Sequence, residues 1–355
     1  MEQRIKAIQN ELQNGEGILI NNAPNRLYFT GFSSSAGVLL ISKNSCDFLI
    51  DFRYYEKAKS VIKHCNVLLA NRSIDQLQDL TKKYDLKTLY IETSYATVDD
   101  LQYFKSILPD CIISTDDIFD KIILELRSIK SKNEIDNIKK AQAITDDTFS
   151  YILDQIHIGK TEREIMLDME FYLRKQGSSG IAFDFIVVSG KNSSLPHGVP
   201  TDKAIESGDF ITMDFGAVFN GYRSDMTRTI AIGDISQEQI QVYSTVLEAQ
   251  KLALSAIKPD VACKEIDRVA RDFINQNGYD GCFGHGLGHS VGIEIHENPS
   301  FNTTDKTALK PGMVITVEPG IYIPGQFGVR IEDMVAITES GMENLTASPK
   351  DLIQL

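Results

Sequence analysis

The sequence predicts two domains: an α/β domain over residues 1–122 and an α+β domain over residues 123–355 that is built from two similar halves. The first observation is length, since 355 residues are long for a single hydrophobic core. The second is the alternation of short apolar runs with amphipathic stretches in the first third of the chain. The third is an order of two helices followed by strands, which occurs twice in the remainder and predicts a duplicated unit.

The N-terminal domain is predicted to begin with an amphipathic helix that carries Ile5, Ile8 and Leu12 on one side. Helix-start signals also stand at 73–76 and 97–100. The apolar runs that predict strands are 17–20, 37–41, 46–50, 88–92 and 111–114. No glycine-rich phosphate loop and no His or Cys cluster occurs here, so we interpret this domain as a packing or oligomerisation domain that borders the functional site.

Helix caps mark the two halves of the C-terminal domain. Ser131 with Glu134 and Ser236 with Gln239 have the capping-box spacing, and each pair precedes a long amphipathic stretch. A further helix is expected from Thr161 to Gly177, and another ends at Gly278. The strands predicted in the first half cover 183–190, 209–216 and 222–232.

Composition excludes several classes of partner. The net charge of −13 argues against nucleic acid and anionic membrane surfaces, because phosphate binding needs clustered Lys and Arg. No stretch approaches the roughly 18 apolar residues of a membrane span, and the charged N-terminus lacks the apolar centre of a signal peptide. Five scattered cysteines without a CxxC pair do not indicate a disulfide framework. We therefore expect a cytoplasmic protein with no nucleic-acid or membrane partner.

Two acidic residues flank a predicted β-hairpin. Asn220–Gly221 is a strong signal for a type I′ turn between two strands. Alternation places Asp214 on the polar side of the first strand, and a bulge would bring Asp225 of the second strand opposite it. Adjacent carboxylates in an apolar neighbourhood repel each other and take up protons unless a cation lies between them. On the hairpin alone, a solvated face with ordinary surface acids is an equally good interpretation.

A glycine-rich stretch near the C-terminus adds imidazole and carboxylate groups. Residues 284–289 read Gly-His-Gly-Leu-Gly-His, which is too rich in glycine for the helical HxxxH zinc arrangement. The glycines let the backbone approach a centre closely while His289 points inward. Glu318 follows an apolar strand, and Glu332 lies with Arg330 in an alternating one. Histidines among glycines, with acids at strand ends, favour a metal site over packed core histidines.

One imidazole and four carboxylates would form a hard, oxygen-rich ligand set for two divalent ions. Its members are Asp214, Asp225, His289, Glu318 and Glu332. The absence of thiolates makes Mn²⁺ the first expectation, with Co²⁺, Fe²⁺ or Zn²⁺ as alternatives. Each predicted half supplies two of the acids, and we interpret Cys282 as a packing residue.

This ligand pattern resembles the signature of the pita-bread metallopeptidases, a family that includes methionine aminopeptidase, aminopeptidase P and prolidase. The positions that carry the resemblance are Asp214, Asp225, His289, His296, Glu318 and Glu332. The resemblance covers about residues 125–350 and implies a pita-bread catalytic domain with an internal pseudo-twofold repeat. The first domain resembles the creatinase-type N-terminal domain, which simple methionine aminopeptidases lack, and this favours the proline-specific branch.

The resemblance also implies the roles of the ligands. Asp214 would bind one metal ion, and His289 with Glu318 the other. Asp225 and Glu332 would bridge both ions, with a hydroxide between them attacking the scissile carbonyl. Glu318 would also carry a proton from the water to the leaving nitrogen.

Four residues are implied to line the substrate site. His197 corresponds to a histidine that contacts substrate, and His296 to one that hydrogen-bonds the carbonyl oxygen and stabilises the oxyanion. His197, His296 and Glu318 are thus the expected catalytic residues. His285 corresponds to an additional histidine of the proline-specific enzymes, and Arg330 would support the metal-binding acids. A packed or paired side chain without a part in turnover is the alternative for His285 and Arg330.

The expected activity is hydrolysis of the Xaa–Pro bond in dipeptides or at the N-terminus of peptides, as in prolidase or aminopeptidase P. The proline nitrogen of such a bond carries no N–H, so the site does not need strand-like docking. The alternatives are a methionine aminopeptidase-like enzyme, a metal-free creatinase-like hydrolase and an inactive pita-bread module that binds peptides. The resemblance also implies a homodimer.

Overall fold

The computed structural model describes residues 1–71 and 73–355, which separate into two compact units, Met1–Arg127 and Ser128–Leu355. The predicted domain boundary between residues 122 and 123 lies within the last helix of the first unit. Within the described residues, no helix combines the length and apolar character that crossing a membrane requires.

The first unit has the helix and strand alternation of an α/β domain. Its helices are α1 (Glu2–Glu11), α2 (Ala23–Thr30), α3 (Phe52–Val61), α4 (Ser73–Lys83), α5 (Val98–Ile107) and α6 (Ile118–Ser128). Its strands are β1 (Glu16–Ile20), β2 (Val38–Ser42), β3 (Ser45–Ile50), β4 (Asn66–Leu69), β5 (Thr88–Ile91) and β6 (Ile112–Ser114).

These strands form one mixed sheet in the order β4-β3-β2-β1-β5-β6. The three central strands are antiparallel, whereas β4, β5 and β6 each join their neighbour in parallel. Leu19, Leu40 and Leu89 are buried on one face, in a core shared with Leu77 of α4 and Phe104 of α5. Burial of large aliphatic and aromatic side chains on one sheet face is the main stabilising term of such a layer.

The five strands predicted for this unit are confirmed, as is its first helix, which ends at Glu11. The capping box at the start of α5 is also confirmed, since Thr97 and Asp100 exchange side-chain bonds to each other's backbone N–H. α4 begins where the 73–76 signal predicts, but Arg72 and the Ser73 side chain lie outside the described residues. The patterns do not predict β4, which is short and partly exposed, or α3, whose only buried residue is Ala58.

The second unit contains four helices and twelve strands among its described elements. The helices are α7 (Lys132–Leu153), α8 (Glu162–Lys175), α9 (Gln237–Ala256) and α10 (Cys263–Ile274). The strands of the first half are β7 (Ile186–Ser189), β8 (Phe210–Phe215), β9 (Val218–Phe219), β10 (Tyr222–Arg223) and β11 (Met226–Ala231). Those of the second half are β12 (Gly288–Ser290), β13 (Glu297–Phe301), β14 (Val314–Val317), β15 (Gly320–Ile323), β16 (Phe327–Arg330), β17 (Asp333–Ile337) and β18 (Met342–Asn344).

The two halves of this unit repeat one arrangement. Two helices precede an antiparallel strand pair whose strands are joined through a small hairpin: β8 and β11 around β9–β10, and β14 and β17 around β15–β16. The pairs belong to sheets ordered β11-β8-β7 and β13-β12-β14-β17-β18. The predicted duplication of a helix-helix-sheet unit is therefore confirmed.

Local signals explain the ends of these elements. The capping boxes predicted at Ser131 and Ser236 are present, and a third lies at Thr161. Asn220 and Gly221 have φ of 49° and 82°, and positive values at both positions define the predicted type I′ turn.

Two predicted strands break beside a candidate ligand, and a third is shorter than predicted. The breaks lie at Ser224–Asp225 and Ile331–Glu332, and the short strand covers only Ile186–Ser189 of 183–190. In the first break, the backbone N–H of Ala217 donates to Ser224 Oγ at 2.8 Å. In the second, the N–H of Glu332 donates to the Thr227 carbonyl at 3.1 Å, across to the other half. A backbone group that bonds to a new partner is lost from the hydrogen-bond ladder of its strand pair. The alternation of apolar and polar residues along the sequence does not reveal such a loss.

A buried ion pair joins the halves directly behind the second break. Arg228 and Asp333 are each 1% exposed and lie 2.7 Å apart. Arg228 also donates to the carbonyls of Ser348 and Pro349, while Asp333 accepts from Gln250 and Lys350. The charges and hydrogen-bonding groups of both side chains are thus well matched, which a buried pair requires.

Removing the Arg228 cation should therefore lower the free energy of unfolding far more than removing a cation at the surface. Arg228→Met leaves the buried Asp333 with only the partly exposed Lys350 as a cationic partner, and leaves the carbonyls of Ser348 and Pro349 without their donor. We expect a loss of about 3–5 kcal/mol in unfolding free energy. Arg163→Met is the matched control, because Arg163 and Asp202 pair at the surface with exposed fractions of 51% and 83%; its loss should be about 0–1 kcal/mol. Urea denaturation of both variants measures the loss in unfolding free energy. Equal losses would show that the buried pair contributes no more to stability than the surface pair.

Candidate metal centre

Three carboxylates from both halves form a buried cluster. Ligand oxygens of Asp214, Asp225 and Glu332 lie within 4.8 Å of one another. Asp214 stands near the end of β8, whereas Asp225 and Glu332 directly precede β11 and β17. Their exposed fractions are 9%, 4% and 1%, so the alternative of a solvated hairpin face is wrong.

An imidazole and a fourth carboxylate complete this cluster. His289 Nε2 lies 3.5 Å from Asp225 Oδ2 and 3.5 Å from Glu318 Oε1. His289 Nδ1 lies 3.2 Å from the Ser290 carbonyl, and donation to that oxygen leaves the Nε2 lone pair directed at the acids. All five predicted ligands are thus brought together.

A glycine allows the histidine to reach this position. A Cβ on Gly288 would lie only 2.0 Å from the Thr316 carbonyl oxygen, so no other residue lets β12 approach β14 as closely. The adjacent His289 N–H donates to Thr316 Oγ1 at 3.0 Å. The predicted function of the glycines, close approach of the backbone, therefore holds at this position.

Burial strongly perturbs the titration of these groups. Burial, and next the charge of Glu332, raises the pKa of Asp225 well above its usual value. Burial raises the pKa of Glu318 to about 8, and burial with the Glu318 charge raises that of Glu332. Burial, followed by the neighbouring His296, lowers the pKa of His289 to about 4. Protonated Asp225, Glu318 and Glu332 and a neutral His289 are the states that these shifts favour in the absence of a cation.

Two carboxylate oxygens in the cluster have no hydrogen-bond partner among the described residues: Asp214 Oδ1 and Glu332 Oε1. Their sister oxygens are both bonded, Asp214 Oδ2 by Arg330 at 2.7 Å and Glu332 Oε2 by Thr227 at 2.7 Å. An unpartnered buried oxygen is costly and rare, and here it marks the side of each carboxylate available to a cation. The residues present therefore fit divalent metal ions with hard oxygen and imidazole ligands.

Arg330 holds this arrangement from behind. Besides Asp214, it donates to Thr227 Oγ1 at 3.1 Å and to the Tyr322 hydroxyl at 2.7 Å. Burial raises the pKa of Tyr322 to about 12, so its hydroxyl stays protonated. The sequence predicted support by Arg330 but not the parts of Thr227 and Tyr322, which have no motif of their own.

The three other predicted histidines line a cavity of about 840 Å³ beside the cluster, together with all five candidate ligands. His285 is anchored, with Nε2 3.0 Å from the Tyr322 hydroxyl and Nδ1 2.8 Å from the Gly286 carbonyl. Burial, and next the charge of Arg330, lowers the pKa of His285 to about 4. His296 and His197 are exposed to the cavity, and the His296 ring lies 4.4 Å from that of His289.

The segment that carries His197 is fixed by a residue that the sequence did not single out. Glu162, fully buried at the start of α8, accepts hydrogen bonds from the backbone N–H of Ser189 at 2.7 Å and of Thr201 at 2.9 Å. Its oxygens also accept from the side chains of Asn192 and Thr201. One carboxylate thus ties both ends of the segment, and nothing in the local sequence distinguishes it from an ordinary first-turn acid.

A duplicated α+β domain with a buried cluster of acids and imidazole beside an open cavity defines a metal-dependent hydrolase. Residues 136–339 match the model of Metallopeptidase family M24, and residues 4–129 match the Creatinase/Prolidase N-terminal domain. The chain belongs to metallopeptidase family M24. The predicted pita-bread fold is confirmed, and membership of this family implies divalent metal ions.

Relatives resemble the chain over nearly its full length. An Xaa-Pro dipeptidase of Pyrococcus furiosus is 40% identical over 95% of this chain and 94% of its own. The solved structure of an Xaa-Pro dipeptidase from Bacillus anthracis has a TM-score of 0.94 at 41% identity, covering 100% of this chain and 99% of that one. An X-Pro aminopeptidase from Thermotoga maritima has a TM-score of 0.91 at 37% identity, covering 98% and 100%.

The shifted acids predict how the stability of metal-free protein depends on pH. Glu318 has a folded-state pKa of about 8 against 4.5 when unperturbed, so between these values the folded state holds a proton that the unfolded chain releases. The contribution of Glu318 to stability should therefore fall as pH rises through this window. The fall should be clearest above pH 6.5, because below it the lowered pKa values of His285 and His289 act in the opposite direction. Thermal unfolding with a chelator from about pH 5 to pH 8 measures the fall. Glu318→Gln should make the decrease in stability with pH smaller, and added Mn²⁺ should offset the decrease. An identical pH profile for Glu318→Gln and the unsubstituted protein would show that Glu318 is not the source of the decrease.

The anchoring by Glu162 predicts a local effect. In Glu162→Gln an amide NH₂ replaces one accepting oxygen and faces N–H donors, so we expect a loss of about 1–3 kcal/mol and faster hydrogen exchange over residues 189–201. Glu164→Gln is the matched control, because this exposed acid of the same helix caps Thr161, a position that glutamine also fills. Exchange mass spectrometry compares the two, and unchanged exchange in Glu162→Gln would show that the segment does not depend on its anchor.

Proposed function

We propose that this metallopeptidase hydrolyses the Xaa–Pro bond at the N-terminus of peptides or in dipeptides, using two divalent ions, with Mn²⁺ as the first candidate. The observation that carries the proposal is the pair of unpartnered buried oxygens, Asp214 Oδ1 and Glu332 Oε1, in a cavity lined by three further histidines. The substrate class is supported by the relatives, since proteins similar over nearly the whole chain are Xaa-Pro dipeptidases and an X-Pro aminopeptidase.

The five clustered residues would hold the ions. Asp214 would hold one ion, His289 with Glu318 would hold the other, and Asp225 with Glu332 would contribute to both. Bound divalent ions lower the pKa of a coordinated water and polarise a carbonyl oxygen. Four carboxylates supply the charge that two such ions need, and mutual repulsion among the acids is what the ions relieve.

Glu318 is the residue placed to move a proton. Glu318 Oε1 lies 3.3 Å from Thr316 Oγ1 and 3.5 Å from His289 Nε2. A carboxylate at this position can accept a proton from water and pass it to the leaving nitrogen. The proline nitrogen needs that proton, because an amine leaves far more readily than its anion.

Histidines 296, 197 and 285 bind and orient the substrate. His296 lies beside His289 and donates to the carbonyl oxygen as negative charge develops there. His197 contacts the substrate from the segment tied by Glu162. His285, held by Tyr322 and kept neutral by burial, borders the proline ring. None of these contacts requires an N–H on the scissile amide, which the Xaa–Pro bond lacks.

Matched peptides test the proposal and determine substrate length. The Mn²⁺-loaded protein should cleave Xaa–Pro, Xaa–Pro–Yaa–Zaa or both, with release of the first residue followed by mass spectrometry. Cleavage of the dipeptide alone identifies a dipeptidase, and efficient trimming of the longer peptide identifies an aminopeptidase. Asp225→Asn should abolish turnover and lower metal content, because the residue serves both ions. Cleavage of Met–Ala–Yaa but of neither proline substrate would reject the proposal in favour of a methionine aminopeptidase-like activity.

A substitution at His296 separates catalysis from metal binding. His296→Ala should retain the metal ions but lower kcat by about 10²–10³-fold, the usual cost of losing one oxyanion donor. His157→Ala is the control, because His157 is an exposed histidine in the connection between α7 and α8. Activity assays measure kcat, and elemental analysis measures the metal content. An unchanged kcat in His296→Ala would show that His296 has a structural role only.

A further inference from the structure

Two cysteines of the first unit lie side by side at the edge of its sheet. Cys46 is on β3, and Cys65 directly precedes β4, the edge strand. Their Sγ atoms are 2.7 Å apart, and both residues are free thiols. Neither residue has a part in the metal centre, so the pair needs an explanation of its own.

The strand register explains why these two thiols meet. The next residues along each strand, Asp47 and Asn66, are direct partners in the parallel ladder and share a 3.0 Å side-chain hydrogen bond. Neighbouring strands lie about 4.8 Å apart, and Cα atoms joined by a disulfide are about 4.4–6.8 Å apart. Cys46 and Cys65 therefore stand at a separation that a disulfide spans without movement of the backbone.

The two thiols differ in access. Cys46 is 7% exposed, and its hydrogen bond with Cys65, together with burial, raises its pKa. Cys65 is partly exposed and reachable from solvent. A reagent therefore meets Cys65 first, and the protected Cys46 is placed as the resolving thiol.

We propose that Cys46 and Cys65 form a reversible intramolecular disulfide when the protein meets a small-molecule disulfide. The Cys65 sulfur, as thiolate, attacks one sulfur of the reagent, forming a mixed disulfide and releasing one small thiolate. The Cys46 sulfur then loses its proton to solvent and attacks the Cys65 sulfur, which releases the second small thiolate. The two cysteines give up two electrons in total, and the reagent takes them as it becomes two thiols.

The crosslink would close the segment from Cys46 to Cys65, which contains the whole of α3. Ala58 is the only residue that this helix buries, so little apolar packing holds it. A covalent link across its two ends restricts the unfolded chain and stabilises the segment. This is compatible with the expectation of a reduced protein, because a reversible pair is oxidised only when its surroundings become oxidising.

The experiment treats the full-length protein with oxidised glutathione, blocks free thiols with iodoacetamide and analyses the denatured product by mass spectrometry. The five thiols of the chain should fall to three, with one linked peptide pair that contains Cys46 and Cys65. The unfolding temperature should rise by several degrees, and dithiothreitol should reverse both changes.

Two variants and a control make the result decisive. Cys65→Ser should keep all of its remaining thiols and lose the shift in unfolding temperature. Cys46→Ser should stop at a glutathione adduct on Cys65, because the resolving thiol is missing, and should also lose the shift. Cys65→Ser stands alone if the buried substitution prevents folding. Cys111→Ser, which removes a thiol of the same unit bonded to the Leu86 carbonyl, should still form the crosslink. In the unsubstituted protein, oxidation that stops at a stable glutathione adduct, or that links any other pair, would overturn the proposal.

Discussion

Repulsion among four buried carboxylates is the constraint on which the second unit depends. Asp214, Asp225, Glu318 and Glu332 occupy a region from which water is largely excluded, and their charges cannot coexist there without compensation. Part of the compensation is built in, because Arg330 and Thr227 each hold one oxygen of a cluster acid. The oxygens without a hydrogen-bond donor among the described residues, Asp214 Oδ1 and Glu332 Oε1, mark where a cation would compensate the remaining charge.

The scaffold behind the cluster serves the same constraint. The Arg228–Asp333 pair joins the backbones of Thr227 and Glu332, so the acids of the two halves cannot move apart independently. On the cavity side, Glu162 ties the segment of His197 in a comparable way. Both devices consist of fully buried charged side chains whose hydrogen-bonding groups are all paired, which favours rigidity over adaptability.

How far the sequence predicts this arrangement depends on the range of the interactions. Capping boxes and the Asn220–Gly221 turn were predictable because each is complete within a few residues. The acids of the site were predictable because they recur at strand ends with a repeated spacing, and His289 because it lies among glycines. The parts of His197, His285 and His296 were implied only by the resemblance to the family. Thr227 and Tyr322 were not predictable, since the bond from Thr227 to Glu332 joins residues 105 positions apart. The break at Ile331–Glu332 was missed for the same reason, because the Glu332 N–H bonds to Thr227 of the other half. The break at Ser224–Asp225 is local, since Ser224 bonds to Ala217 of the same hairpin, but alternation of residue types does not reveal it. The homodimer, the cytoplasmic location and the identity of the metal stay predictions.

The duplicated hairpins also dictate when activity can arise during biosynthesis. Ribosomes deliver the chain from its N-terminus, so β8 and β11, with Asp214 and Asp225, are translated before the second half. Glu318 and Glu332 are translated about a hundred residues later, so a truncated or nascent polypeptide holds half of a ligand cage. Any hydrolytic site that uses all four acids therefore cannot form until synthesis is nearly complete.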